Sequence, residues 1–220
     1  MVTIHIWDLP TRLFHWVLAV CVFGLVLTGQ LGGPAMLWHF RLGYVVFTLL
    51  VFRLLWGLVG GRWSRWSALP LGLHHVRTYL QGRSSPEQLA GHNPLGSWSV
   101  LALLFFLALQ VVTGLVSDDE ISNTGPLSSL VSGSVVSLAT SWHKYWGKMT
   151  LIALVMTHLA AIAWYRWRLQ KSLVSAMLHG DKKLDTPVAP SLDHGRNRAL
   201  GGLVLLLSIA LVAYVISLGS

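Results

Sequence analysis

The sequence predicts an all-α membrane protein: a bundle of four transmembrane helices followed by a fifth near the C-terminus. Three observations predict it. Of 220 residues 54% are hydrophobic and only 11% charged, where an average soluble domain carries roughly 25% charged residues, so the chain cannot cover a water-facing surface. Five segments reach the roughly 20 apolar residues that carry a helix across about 30 Å of hydrocarbon. The charges are unbalanced, 16 Lys plus Arg against 8 Asp plus Glu for a formal net charge of +8, and they gather between those segments.

The first span, residues 12–28, is uncharged in its interior. It is longer than the apolar core of a signal peptide, and no clear small-residue cleavage site follows, so it reads as a permanent helix. The second, residues 39–59, contains Arg53; the third, residues 95–116, is uncharged inside; the fourth, residues 142–164, holds Lys148. Trp164, Tyr165, Arg166 and Trp167 resemble interfacial anchors. The fifth span, residues 199–218, has neither histidine nor charge and reads as peripheral. Between spans, Pro70–Leu80 is expected to form a short amphipathic interfacial helix and residues 117–141 a long loop. Residues 181–198, with Pro187 and Pro190, read as an exposed linker. The expected organisation is a four-helix domain over 1–168, a cytoplasmic linker over 169–198 and an additional transmembrane helix over 199–218.

Arg12 precedes the first span. Arg62, Arg65, Arg77 and Arg83 lie between the second and third; Arg166, Arg168, Lys171, Lys182, Lys183, Arg196 and Arg198 lie between the fourth and fifth. Five spans put all of these on one side, so the positive-inside rule places the N-terminus in the cytoplasm and the C-terminus outside. The charge surplus is then topological and no footprint for nucleic acid. The single Cys21 excludes an internal disulfide, a covalent CxxCH haem attachment and a Cys-rich metal site, and reads as a small core hydrophobe. Gly57 and Gly61 form a small-xxx-small pair compatible with homodimerisation.

Ionisable residues inside membrane helices are costly and mark sites. His15 lies near the cytoplasmic end of the first span and His39 opens the second near the outer face. The fourth carries His143 at its outer end and His158 fifteen residues later, about 22 Å along an α-helix and about 60° from the same face. The topology pairs these depths, His39 with His143 and His15 with His158. Two facing imidazoles on neighbouring helices supply the axial ligands of a six-coordinate, non-covalent b haem. Two such haems stacked across the bilayer would form an electron wire, and with no open iron position they favour electron transfer over oxygen binding. Arg53 at one depth, and Lys144, Lys148 and Arg41 at the other, are candidates to meet haem propionates. His5, His74, His75, His92, His179 and His194 read as solvated or interfacial, with His74–His75 also a metal or propionate candidate.

The stretches Trp7-Asp8-Leu9-Pro10-Thr11-Arg12-Leu13-Phe14-His15-Trp16 with Thr28-Gly29, Phe52-Arg53-Leu54-Leu55-Trp56-Gly57, Gly91-His92-Asn93-Pro94-Leu95-Gly96 and Gln110-Val111-Val112-Thr113-Gly114-Leu115 resemble the bacterial cytochrome b561 group, which includes the b-type cytochrome subunit of nickel–iron hydrogenases. Asp118-Asp119-Glu120-Ile121 with Gly125-Pro126-Leu127 is similar too. The resemblance covers about residues 5–168. It implies a four-helix di-haem core in a bacterial cytoplasmic membrane with the same four histidine ligands. It also implies quinone exchange at one surface and a redox partner, a periplasmic cytochrome or hydrogenase-like subunit, at the other. One departure stands out: the family spaces its span-four histidines fourteen apart, and here they are fifteen apart, which calls for a local helix adjustment or a different His143 orientation. The expected function is electron transfer between the quinone pool and a partner protein. The alternatives are an oxidoreductase passing electrons from superoxide or another small substrate to quinone and, from another class, a haem-free transporter or membrane anchor.

Overall fold

The computed structural model describes residues 1–119 and 123–219, and among them five helices are long and apolar enough to cross a membrane. Strand β1 (Val2–His5) leads into α1 (Leu9–Leu31). Asp8 caps α1 by accepting from the Thr11 amide at 2.9 Å, and Pro10 sits in the first turn, where a missing N–H costs nothing. Gly32 and Gly33, both at positive φ, turn the chain into α2 (Met36–Val59) through one 3₁₀ turn. The short helix expected within Pro70–Leu80 is present as α3 (Leu73–Leu80), followed by α4 (Pro86–Ala90) and α5 (Pro94–Leu115). The Gly91–Gly96 motif is the start signal of α5: Asn93 accepts from the Gly96 amide at 2.7 Å and Pro94 is the first helical residue.

The fourth span departs from expectation. Helix begins at α6 (Gly133–Ser141), inside the segment read as loop, widens into a π turn over Trp142–Gly147 and continues as α7 (Lys148–Trp167). Serine, threonine and glycine disfavour helix in water, but in an apolar setting a helix satisfies the backbone within the segment. Glu120 and Ile121 of the acidic motif lie outside the described residues. Beyond α7, the 169–198 stretch carries α8 (Leu173–His179) and strand β2 (Asp181–Leu184), and α9 (Gly195–Ser217) follows. β2 pairs antiparallel with β1, His5 opposite Asp181 and Val2 opposite Leu184.

Two compact units make up the chain. The first comprises Met1–His15, Arg53–Ala102 and Met156–Val204. Its core is Ile4, Ile6, Trp7, Trp63, Ala90 and Ala176, and beside it lies a buried polar knot. Asp8, fully buried, accepts from Ser64 Oγ at 2.8 Å, the Gly61 amide at 3.0 Å and Trp56 Nε1 at 3.3 Å. Gly57 and Gly61 are taken up here within the chain: the Trp66 ring fills the side-chain position of Gly57, and the Asp8 carboxylate that of Gly61. The second unit comprises Trp16–Phe52, Leu103–Val155 and Leu205–Ser220. Its core draws Cys21 from α1, Val46 and Leu50 from α2, Leu107 from α5 and Leu151 from α7, a four-helix packing in which Cys21 is a buried free thiol.

Candidate functional site

Each histidine pair falls within one unit, His15 and His158 in the first, His39 and His143 in the second. His39 projects from the first turn of α2. Its Nδ1 lies 3.0 Å from the Leu25 carbonyl and 3.3 Å from Thr28 Oγ1, both on α1. His143 sits in the π turn, its Nδ1 2.9 Å from the Gln110 carbonyl and 3.5 Å from Thr113 Oγ1 on α5. The same brace is built twice, and it accounts for the Thr28-Gly29 and Thr113-Gly114 pairs. The threonine hydroxyls donate back to Gly24 and Leu109 at 2.7 and 2.8 Å, leaving the oxygen free to accept from the ring. The glycines admit the rings: a Cβ at Gly29 would lie 3.1 Å from His39 Cε1, and one at Gly114 2.8 Å from His143 Cε1.

An imidazole that donates Nδ1–H to a carbonyl is held in the tautomer whose Nε2 carries a bare lone pair, the arrangement found behind metal-binding histidines. The two rings stand 6.1 Å apart, centre to centre, at 84°. With a metal–imidazole bond of about 2.0 Å and about 1.1 Å from nitrogen to ring centre, two imidazoles on opposite sides of one metal ion place their centres about 6.2 Å apart. No group of three or more His, Cys, Asp or Glu converges among the described residues. The donor set therefore fits a metal that brings its remaining ligands with it, as haem iron does.

The π turn also resolves the spacing anomaly. One π turn absorbs about one extra residue in a helix, so His143 and His158, fifteen apart in sequence, are related about as residues fourteen apart in an unbroken α-helix, about 40° from a common face.

His15, on the second turn of α1, and His158, on α7, lie within electrostatic reach of each other. Arg53 is buried. It donates to the Ser64 carbonyl at 2.9 Å, stacks 4.2 Å over the Trp66 ring and feels the Asp8 carboxylate. Of the other cationic candidates, Lys148 is half-buried, Lys144 is exposed within the π turn, and Arg41 is exposed and packs 5.1 Å over Trp38.

His92, which reads from sequence as solvated or interfacial, lies in the structure within reach of His15 and His158. It is half-buried, 4.7 Å from the Trp7 ring, and within electrostatic reach of Arg53, Lys182, His15 and His158. Burial first, and then Arg53 and Lys182, push its imidazole down to about 3. Lys182 donates to the carbonyls of Leu89, Ala90 and Gly91 at 2.6, 2.9 and 3.2 Å, capping α4, and burial holds its amine down to about 8. The available signal for His92 was its place just before Asn93-Pro94, the N-cap of a span; nothing in the sequence paired β2 with α4.

A family model described as prokaryotic cytochrome b561 matches residues 6–180. The chain belongs to this family. The cytochrome is 25% identical over 217 residues to a probable Ni/Fe-hydrogenase B-type cytochrome subunit of Bradyrhizobium diazoefficiens, covering 82% of this chain and 86% of that protein. The corresponding protein of Azotobacter chroococcum is 28% identical, with 80% and 87% covered. That of Escherichia coli is 24% identical over 143 residues, with 52% and 60% covered. Family membership makes this a multi-pass membrane cytochrome of the haem b, electron-transfer class.

Proposed function

We propose that this cytochrome holds two b haems, one between His15 and His158 and one between His39 and His143, and passes electrons between the quinone pool and a redox partner protein across a bacterial cytoplasmic membrane. The observation that carries the reading is the pair of braced imidazoles, each Nδ1 on a helix carbonyl and the rings 6.1 Å apart. Bound haem would supply a one-electron ferric–ferrous couple, and two imidazole ligands to each haem would favour electron transfer over oxygen binding. The chain fixes the ring tautomers, admits the rings beside Gly29 and Gly114 and surrounds the cofactors with apolar helix. Arg53 is the candidate for the propionates of the His15–His158 haem, and Lys148 with Lys144 and Arg41 for those of the other.

The names of the relatives support a hydrogenase-like subunit as the partner. The 12 basic residues that fall on one side support a cytoplasmic N-terminus and a periplasmic C-terminus. Within this reading residues 1–168 form the haem-holding core, and 199–218 an added helix. Gly57 and Gly61 lend no support to a homodimer, being filled from within the chain.

A reduced-minus-oxidised spectrum of the purified protein, with haem quantified per chain, tests the reading. A b-type α band with two haems per chain is expected; one haem per chain or no band refutes it. A narrower test is Gly114→Val. Its side chain would occupy the space of the His143 ring, and the expected result is loss of one haem with the second retained, seen by haem extraction.

A further inference from the structure

The braces at His39 and His143 are built alike except at one position. The carbonyl that holds His39 belongs to Leu25, whereas the one that holds His143 belongs to Gln110, and only His143 lies in a π turn. The Gln110 side chain uses that difference. Its Nε2 donates to the His143 carbonyl at 2.8 Å, inside the turn where the regular backbone ladder is interrupted. It reaches that carbonyl because residue 147 is glycine: Gln110 Oε1 occupies the place a Cβ would take, with Trp142 Nε1 2.6 Å from the same point. Both of these polar atoms are buried without a hydrogen-bond partner among the described residues, so neither draws the amide away from His143. Gln110 thus grips His143 twice, by the backbone through its amide and by the ring through its own carbonyl.

We propose that Gln110 is a positioning residue for His143: by holding the π turn in place it fixes the imidazole orientation and so sets the reduction potential of the haem bound between His39 and His143. The inference rests on the ligand reading above. A firm Nδ1–H···O=C bond makes the imidazole a more basic ligand, and a more basic ligand favours ferric iron. Loosening the grip should therefore raise the potential of that haem alone.

Gln110→Met keeps length without the amide, and Gln110→Leu removes the amide while leaving the side chain uncharged. Either is expected to retain two haems while the reduction equilibrium of one rises about tenfold, 59 mV for a one-electron couple. The low-spin electron paramagnetic resonance signal of that same haem should move, and the potential and signal of the other should stay in place. Unchanged potentials and signals in both variants would overturn the inference, as would failure of both variants to retain two haems, which would make Gln110 structural only. His143→Ala separates this from the underlying reading: if it still carries two haems, the ligand assignment is at fault, whereas if it carries one and the Gln110 variants are silent, only the positioning role fails.

Discussion

Replacing His39 with Ala is expected, on the two-haem reading proposed above, to reduce the haem content from two per chain to one, with the surviving haem keeping its potential. The expectation follows from the division of the chain: His39 and His143 lie in one compact unit with their braces from Leu25 and Gln110, while His15 and His158 lie in the other. On that reading, His143 alone would supply one imidazole where the haem would need two. Haem per chain, read from a pyridine extract, with a redox titration of what remains, checks it. Loss of both haems or of neither would contradict the pairing.

The second large effect is expected at a residue that binds no cofactor. Asp8→Ala should destabilise the protein by about 3–5 kcal/mol, the scale for stripping a partner from a buried charge. Ser64 Oγ, the Gly61 and Thr11 amides and Trp56 Nε1 all donate to this carboxylate; Ser64 and Trp56 keep Thr11 Oγ1 as a partner, but the two amides lose their acceptor inside the fold. Arg53 loses its nearby counter-charge as well, so the haem assigned to His15 and His158 should be lost more readily than the other. Gly61→Ala should give a milder version, because its Cβ would land on the Asp8 carboxylate. Thermal unfolding of the detergent-solubilised protein, compared across these variants, is the measurement; an Asp8→Ala protein as stable as the parent would show that the knot contributes little.

The spans were legible because a long uncharged run in a charge-poor chain has few alternatives to a membrane helix. The four histidines stand out as candidates for the same reason: an ionisable residue is conspicuous against such a background. What sequence could not supply was contact. Thr28-Gly29 and Thr113-Gly114 were visible as motif, but their role appears only once His39 and His143 are seen lodged beside them. Asp8 had no periodic pattern to mark it as fully buried, since its partners apart from the Thr11 amide come from residues 56–64. The fifteen-residue spacing pointed to a local adjustment near His143 without giving its form, which is the π turn over Trp142–Gly147. Gly133–Ser141 was mistaken for loop because propensities learned in water undervalue Ser and Thr where no water competes for the backbone. The surroundings of His92 were not legible because its neighbours Arg53 and Lys182 lie far from it in sequence.

The small sheet between Val2–His5 and Asp181–Leu184 also sets an order of events during synthesis. At roughly 5–20 residues per second, β1 leaves the ribosome roughly 10–40 seconds before its partner strand does. All four histidine-bearing segments are therefore made while the leading strand still lacks its mate. The sheet, with the His5 contacts to Asp181 and Asp193 at 2.8 and 3.2 Å, is therefore a late contact that joins the chain's first residues to a segment made after all four histidines.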